Sequence, residues 1–310
     1  MKDKYLELAP MEGITTYIYR NALNKYYGGI DKYFSPFISA HKNKVLSNKE
    51  IKDILPENNK GIELIPQVLS SNIEDFVNTT NQIKELGYSH INLNFGCPSG
   101  TVTAKGKGAG FLVYPEKLDS FLFDVFEKTD LKISVKTRLG YAEYDEWDRL
   151  KKIYMKYPLQ ELIIHARIRE DFYTGKPRRD IVRESLEEIK DKFSVIYNGD
   201  IYSEKDYLSL NEDIPEINGC MIGRGIITDP SLAQKIKSNR NDFSKSVLKE
   251  FNLELMNSYY KEMQEDKNAL FKLKELWVYM SQNIPDSKKF LKKIQKCSSL
   301  REYEMIIKSL

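Results

Sequence analysis

As far as Pro230, short runs of apolar, β-branched and aromatic residues alternate with stretches in which apolar residues recur every three or four positions. Eight of the short runs predict strands, over residues 5–11, 32–37, 63–68, 90–95, 132–136, 161–165, 194–197 and 219–222. Most are continuously apolar rather than alternating, the pattern of strands buried on both faces. Helical periodicity fills the intervals, as over 73–86, 115–127, 146–157 and 180–190. This order predicts an α/β fold, a closed (β/α)8 TIM barrel, with a doubly wound open sheet as the alternative.

After Pro230 the strand pattern stops. Apolar stripes at Leu248, Phe251, Leu255 and Tyr259, at Leu270, Leu273, Leu276, Trp277 and Met280, and at Tyr303, Ile306, Ile307 and Leu310 predict a small C-terminal helical domain. The expected division is a barrel over 1–236 and a helical domain over 244–310. The polar segment 237–244 is the expected linker, and a further turn is expected at Pro285.

Composition narrows the class. The 310 residues are 41% hydrophobic and 30% charged, which excludes a disordered or collagenous chain. With a net charge of only +3, any nucleic-acid contact must come from local clustering, and the whole positive excess falls after residue 240. No segment reaches the roughly 20 apolar residues of a membrane span, and the N-terminal residues contain no apolar signal core, so a cytoplasmic enzyme is expected. Cys97, Cys220 and Cys297 include no Cys-x-x-Cys pair, so neither a disulfide framework nor a metal site is expected. A monomer is expected.

In a (β/α)8 barrel, catalytic residues project from the C-terminal ends of the strands. Here those ends read Ala9-Pro10-Met11-Glu12-Gly13, Gln67, Asn94-Phe95-Gly96-Cys97-Pro98, Lys136-Thr137-Arg138, His165-Ala166-Arg167, Asn198-Gly199-Asp200 and Gly223-Arg224-Gly225. The last two turns combine glycines with Arg224, as a phosphate site requires; a tight strand-to-helix turn is the alternative. Lys136 and His165 could stabilise an electron-rich heterocycle such as a reduced flavin, and the Gln67 amide offers a donor and an acceptor to its pyrimidine edge. Each has a plain packing alternative, and their convergence on one rim favours a site. Cys97 heads a glycine- and lysine-rich loop, with 105–110 read as mobile, and no histidine beside it in sequence makes a nucleophile pair. A proton-donor role fits it better. Cys220 and Cys297 read as packing thiols.

These motifs, in this order and spacing and over nearly the whole chain, resemble the tRNA-dihydrouridine synthases, with the opening turn and Cys97-Pro98-Ser99 closest to the bacterial C-type branch. The resemblance implies an FMN-binding barrel, a C-terminal tRNA-binding domain, and reduction of D-loop uridines at the expense of NADPH. It implies FMN contacts at Pro10, Met11, Glu12, Gln67, Lys136 and His165, and ribityl-phosphate contacts at Asn198, Gly199, Asp200, Gly223 and Arg224. It makes Cys97 the catalytic acid and sets Asn94, Arg138 and Arg167 near the bound uracil. The basic segment carrying Lys289, Lys292 and Lys293 fits a solvated helix face and an RNA contact equally on composition alone, and the lopsided charge with the resemblance added favours tRNA phosphates. Two other functions stay open: an FMN-dependent oxidoreductase of a free pyrimidine, and a non-catalytic tRNA-binding protein. No Rossmann fingerprint is present, so NADPH is expected to bind transiently in the cleft that tRNA uses.

Overall fold

The computed structural model describes residues 4–41, 45–238, 244–284 and 286–310. Pro285 and most of the expected linker lie outside the described residues. Ten strand segments form one sheet: β1 (Tyr5–Leu8), β2 (Lys32–Phe34), β3 (Ile38–Ser39), β4 (Leu64–Ile65), β5 (Gln67–Leu69), β6 (His90–Phe95), β7 (Lys132–Gly140), β8 (Glu161–Ile168), β9 (Ser194–Asn198) and β10 (Gly219–Ile222). Their order is β3-β5-β6-β7-β8-β9-β10-β1-β2-β4, with parallel pairing.

The two ends of this order belong to the same two strands. β2 and β3 are halves of one strand broken at Ser35-Pro36-Phe37, and β4 and β5 are halves of the next, broken at Pro66. Proline has no N–H for the ladder. β2 pairs with β4 and β3 with β5, while Ser35 N donates to Ile65 O at 3.2 Å across the break. The sheet therefore closes into an eight-stranded barrel, as the alternation of elements predicts.

The first strand stops at Leu8 rather than at residue 11, and two others run further than expected. β7 and β8 run past Lys136 and His165 to Gly140 and Ile168, so Arg138 and Arg167 are strand residues, both buried. A charged residue suggests a strand end in sequence, but here each guanidinium is solvated by backbone carbonyls. In the 105–110 segment Lys105 is exposed, while Gly108–Phe111 forms a buried turn and Ala109 N donates to Cys97 O at 3.0 Å. Gly108 has φ +56°, and a Cβ there would stand 2.9 Å from Cys97 O.

Inside the barrel the period of two sorts residues into layers. Ala9, Phe34, Ile65, Ile163, Ile196 and Met221 form an apolar plug. Two residues earlier on the same strands lie Glu7, Lys32 and Glu161, a buried polar floor in which Lys32 Nζ contacts the Glu161 carboxylate and lies 3.4 Å from Glu7 Oε1. Two residues later come Met11, Gln67, His165, Asn198 and Gly223, which face the opposite end.

The C-terminal helices Lys245–Met263, Asp266–Met280, Ser287–Lys296 and Leu300–Lys308 pack through the expected stripes. Trp277 Nε1 donates to Tyr303 Oη at 2.8 Å, which in turn donates to Asn252 Oδ1 at 3.1 Å, pinning three helices. Phe251 sits edge-on to Tyr19 and Tyr27 of the barrel. Lys272 Nζ donates to Gly13 O at 3.0 Å, tying a C-terminal helix to the turn that follows β1.

Candidate active site

A cavity of ≈ 600 Å³ opens at the C-terminal ends of the strands. Pro10, Met11, Glu12, Gln67, Asn94, Cys97, Lys136, Arg138, His165, Asn198, Gly199, Asp200, Gly223 and Arg224 all line it, so residues far apart in sequence meet in one place. Arg167 does not line it; the side chain is fully buried behind Asp200.

The thiol corner is built by β6 and β7. Asn94 Oδ1 accepts from the backbone N–H groups of Gly96 and Cys97 at 3.1 and 3.0 Å, which folds the chain back and presents Cys97 to the cavity. Arg138 Nε donates to Gly96 O at 2.9 Å, holding the same turn from the other side. Burial pushes the Cys97 thiol pKa up, against a hydrogen bond from the Ser99 backbone and the charges of Lys136 and Arg138. The thiol therefore stays protonated at neutral pH.

Lys136 faces the same space with no carboxylate partner among the described residues, and burial, with Arg138 nearby, lowers its amine to about 7. Burial and the charges of Arg138, Lys136, Arg167 and Arg224 push His165 well down, so the ring is neutral. Arg167 Nη1 lies 3.4 Å from His165 Nε2. A guanidinium can only donate, so Nε2 is the acceptor and the ring proton sits on Nδ1.

At the opposite corner Gly199, Gly223 and Gly225 leave the backbone bare. A Cβ on Gly225 would reach within 2.0 Å of Ile201 O, so only glycine fits. The Asp200 carboxylate is taken by two guanidiniums, from Arg167 and, at 2.8 Å, from Arg224. It orients these arginines, while Arg224 remains the cationic group facing the cavity.

Sequence reasoning missed part of the wall. Tyr173 lies in the loop after β8, with its ring 4.9 Å from the Arg224 guanidinium, 5.5 Å from that of Arg138 and 6.1 Å from the His165 ring. Arg138 donates to Ile168 O and Phe172 O, and Arg167 donates to Thr174 O and Gly175 O, so two buried guanidiniums hold this loop at both ends. An aromatic flanked by Asp171, Phe172 and Gly175 was the available signal. Glu275 and Tyr279 reach the cavity from the C-terminal helix Asp266–Met280, with no local sequence mark. Lys289, Lys292 and Lys293 are elsewhere, exposed on the helix Ser287–Lys296.

A family profile described as Dihydrouridine synthase (Dus) matches residues 7–308. The chain belongs to this family. It is 29% identical over 281 residues to a probable tRNA-dihydrouridine synthase of Staphylococcus aureus strain Mu50, covering 87% of this chain and 83% of that one. It is 27% identical over 263 residues to probable tRNA-dihydrouridine synthase 2 of Bacillus subtilis, covering 83% and 80%. A solved structure of a variant of NCR from Zymomonas mobilis shares the fold at a TM-score of 0.51 and 12% identity, over 77% of this chain and 87% of that one.

In this dihydrouridine synthase the cavity brings together Cys97, Lys136 and His165, whose proton affinities burial displaces. Among the described residues no group of three or more His, Cys, Asp or Glu side chains could hold a metal, and no helix is long and apolar enough to cross a membrane.

Proposed function

We propose that this dihydrouridine synthase reduces the C5–C6 double bond of a D-loop uridine in tRNA, with FMN held in the barrel cavity and NADPH as the reductant. The observation that carries the reading is a protonated thiol, Cys97, in one cavity with an unpaired Lys136, a neutral His165 and a Gly/Arg corner.

The residues fit a flavin nucleotide. A half-buried amine without an acidic partner calls for an electron-rich group, which the pyrimidine end of a flavin offers to Lys136, with Gln67 and His165 beside it. Gly199, Gly223 and Arg224, with Asn198 and Asp200 behind them, suit the phosphate, and Pro10, Met11 and Glu12 close the remaining wall. Bound and reduced, FMN supplies the hydride for C6 of the uracil.

Cys97 gives its proton to C5, and Asn94 and Arg138 hold the turn that aims it. Arg138 and Arg167 also hold the loop bearing Tyr173 at the edge of the pocket. Extruding the base costs roughly a few kcal/mol, which phosphate contacts must offset. Lys289, Lys292 and Lys293 have no acidic partner among the described residues, and with the rest of 244–310 they supply such contacts. Arg178 and Arg183 are paired with Asp180 and Asp213 on the surface, and such pairs are weak enough, at about 0–1 kcal/mol, to exchange for phosphates. The reading takes the enzyme as a cytoplasmic monomer in which NADPH and tRNA use the cleft in turn.

Unmodified tRNA incubated with the protein and NADPH, then digested for nucleoside mass spectrometry, tests this. A gain of two hydrogens on a D-loop uridine, with a flavin spectrum in the protein, is the expected result. A flavin spectrum with turnover of free uracil and none of tRNA would replace the reading with a small-molecule reductase. Absence of flavin would replace it with a non-catalytic binding protein.

A further inference from the structure

A chain of hydrogen bonds runs through the barrel wall from Cys97 to the floor, and its direction is set by the backbone. The N–H groups of Gly96 and Cys97 can only donate, so the atom of Asn94 that they meet is Oδ1. The other end of that amide, Nδ2, then donates to Gln67 Oε1 at 2.7 Å. Gln67 Nε2 in turn donates to Asn92 Oδ1 at 2.7 Å, and Asn92 Nδ2 donates to Ser134 Oγ at 2.9 Å. Ser134 passes its own hydrogen to Ile91 O at 3.3 Å.

At the lower end His90 Nε2 lies 3.1 Å from Ser134 Oγ. Burial, with Lys32 and Lys132 nearby, lowers the His90 ring to about 4, so it is neutral. Every link from the Gly96 and Cys97 N–H groups down to Ser134 points the same way, and each dipole strengthens the next. Gln67, Asn92 and Ser134 are fully buried, and Asn94 nearly so, so none can turn over without leaving an amide group unsatisfied.

The consequence falls on Gln67. With Oε1 facing Asn94 and one Nε2 hydrogen given to Asn92, the hydrogen left over belongs to Nε2 and has no second partner among the described residues. We propose that Asn92, which does not line the cavity, is a positioning residue that locks the Gln67 amide so that the group it offers to the pocket is a donor, and through Asn94 sets the turn carrying Cys97. This rests on the flavin reading, and it deepens it: the ring edge that meets Gln67 must present a hydrogen-bond acceptor.

Asn92→Leu removes the acceptor that holds Gln67, Asn92→Asp keeps it, and Ser134→Ala removes the anchor below with little change in volume. Two measurements on apoprotein apply to each: FMN affinity by quenching of flavin fluorescence, and the rate at which iodoacetamide alkylates Cys97, with Cys97→Ala as the blank. Asn92→Leu and Ser134→Ala are each expected to weaken FMN by about five- to tenfold, the effect of one neutral hydrogen bond, and to change the alkylation rate. Asn92→Asp is expected to recover most of the affinity. A folded Asn92→Leu with both quantities at the wild-type value overturns the proposal; if that variant does not fold, the same result in Ser134→Ala does. Failure of wild-type apoprotein to bind FMN would instead overturn the cofactor reading.

Discussion

Arg167 and Asp200 form a two-point ion pair, Nη1 to Oδ1 at 3.1 Å and Nη2 to Oδ2 at 2.5 Å, and the guanidinium has no exposed surface. Asp200 also holds Arg224, so one carboxylate bridges two cations at the end of β9 and leaves a net positive charge there. Removing it strands a buried charge. Asp200→Ala is expected to lower the free energy of unfolding in urea by about 2–4 kcal/mol, a cost that an unchanged urea midpoint would contradict.

Cys97→Ala removes a proton donor without touching the phosphate corner. Dihydrouridine formation is expected to fall by about 10²–10⁴-fold while FMN content and NADPH oxidation persist. Because burial holds the thiol protonated, a Cys97 alkylation profile should turn upward only above the ordinary thiol range. Product formation at the normal rate in the alanine variant would remove Cys97 from the chemistry.

Lys136 has its amine at about 7 in the free protein, so above that pH a ligand that attracts the ammonium must bring a proton with it. FMN affinity is expected to fall with rising pH above this value, by up to about tenfold per unit. Calorimetry at pH 8 in buffers of different ionisation heat should show proton uptake on binding. In Lys136→Met that uptake should disappear, and its persistence would assign the proton to another group.

Glu7 is buried with its carboxyl well above the usual range, because burial and Glu161 outweigh Lys32. The folded protein keeps a proton that the unfolded chain releases above about 4.3, so this group's contribution to stability is fully present below that pH. It is lost as pH rises toward the folded value. Glu7→Gln keeps the shape without the proton. The difference in unfolding free energy between variant and wild type, which cancels the other titrating groups, should shift toward the variant between pH 5 and pH 8. A constant difference would mean that Glu7 is ionised in the fold.

Charge reversal at Lys289, Lys292 and Lys293 is expected to weaken tRNA binding and to reduce the slope of log affinity against log salt by about 2–3, with FMN content unchanged. An unchanged slope would show that RNA does not touch this face.

Much of the site was legible because a (β/α)8 barrel carries its chemistry at the C-terminal ends of its strands, and here the apolar runs end in polar residues. Gln67, Lys136, His165, Asn198 and Gly223 stand at such ends and line the cavity. Which residues within the runs face inward came from the fold, because strands buried on both faces do not alternate. The stripes of the C-terminal helices were readable for a local reason, with Leu273, Trp277 and Tyr303 buried as their spacing requires.

What periodicity could not reach were relations between elements. Arg138 and Arg167 read as residues near the substrate; that their guanidiniums also bind carbonyls of the loop after β8 has no mark in the sequence, because only the folded chain brings those carbonyls within reach. Glu275 and Tyr279 enter the wall because Lys272 and Phe251 dock the C-terminal helices on the barrel. The direction of the Asn94, Gln67, Asn92 and Ser134 chain depends on two backbone N–H groups meeting one side-chain oxygen. The sequence by itself determined the barrel and the chemical types at its rim, because those follow from the local pattern of apolar runs and the polar residues that end them. Which rim groups face a ligand and which are spent holding one another was decided by the tertiary structure, because hydrogen-bond partners and burial are properties of distance in space.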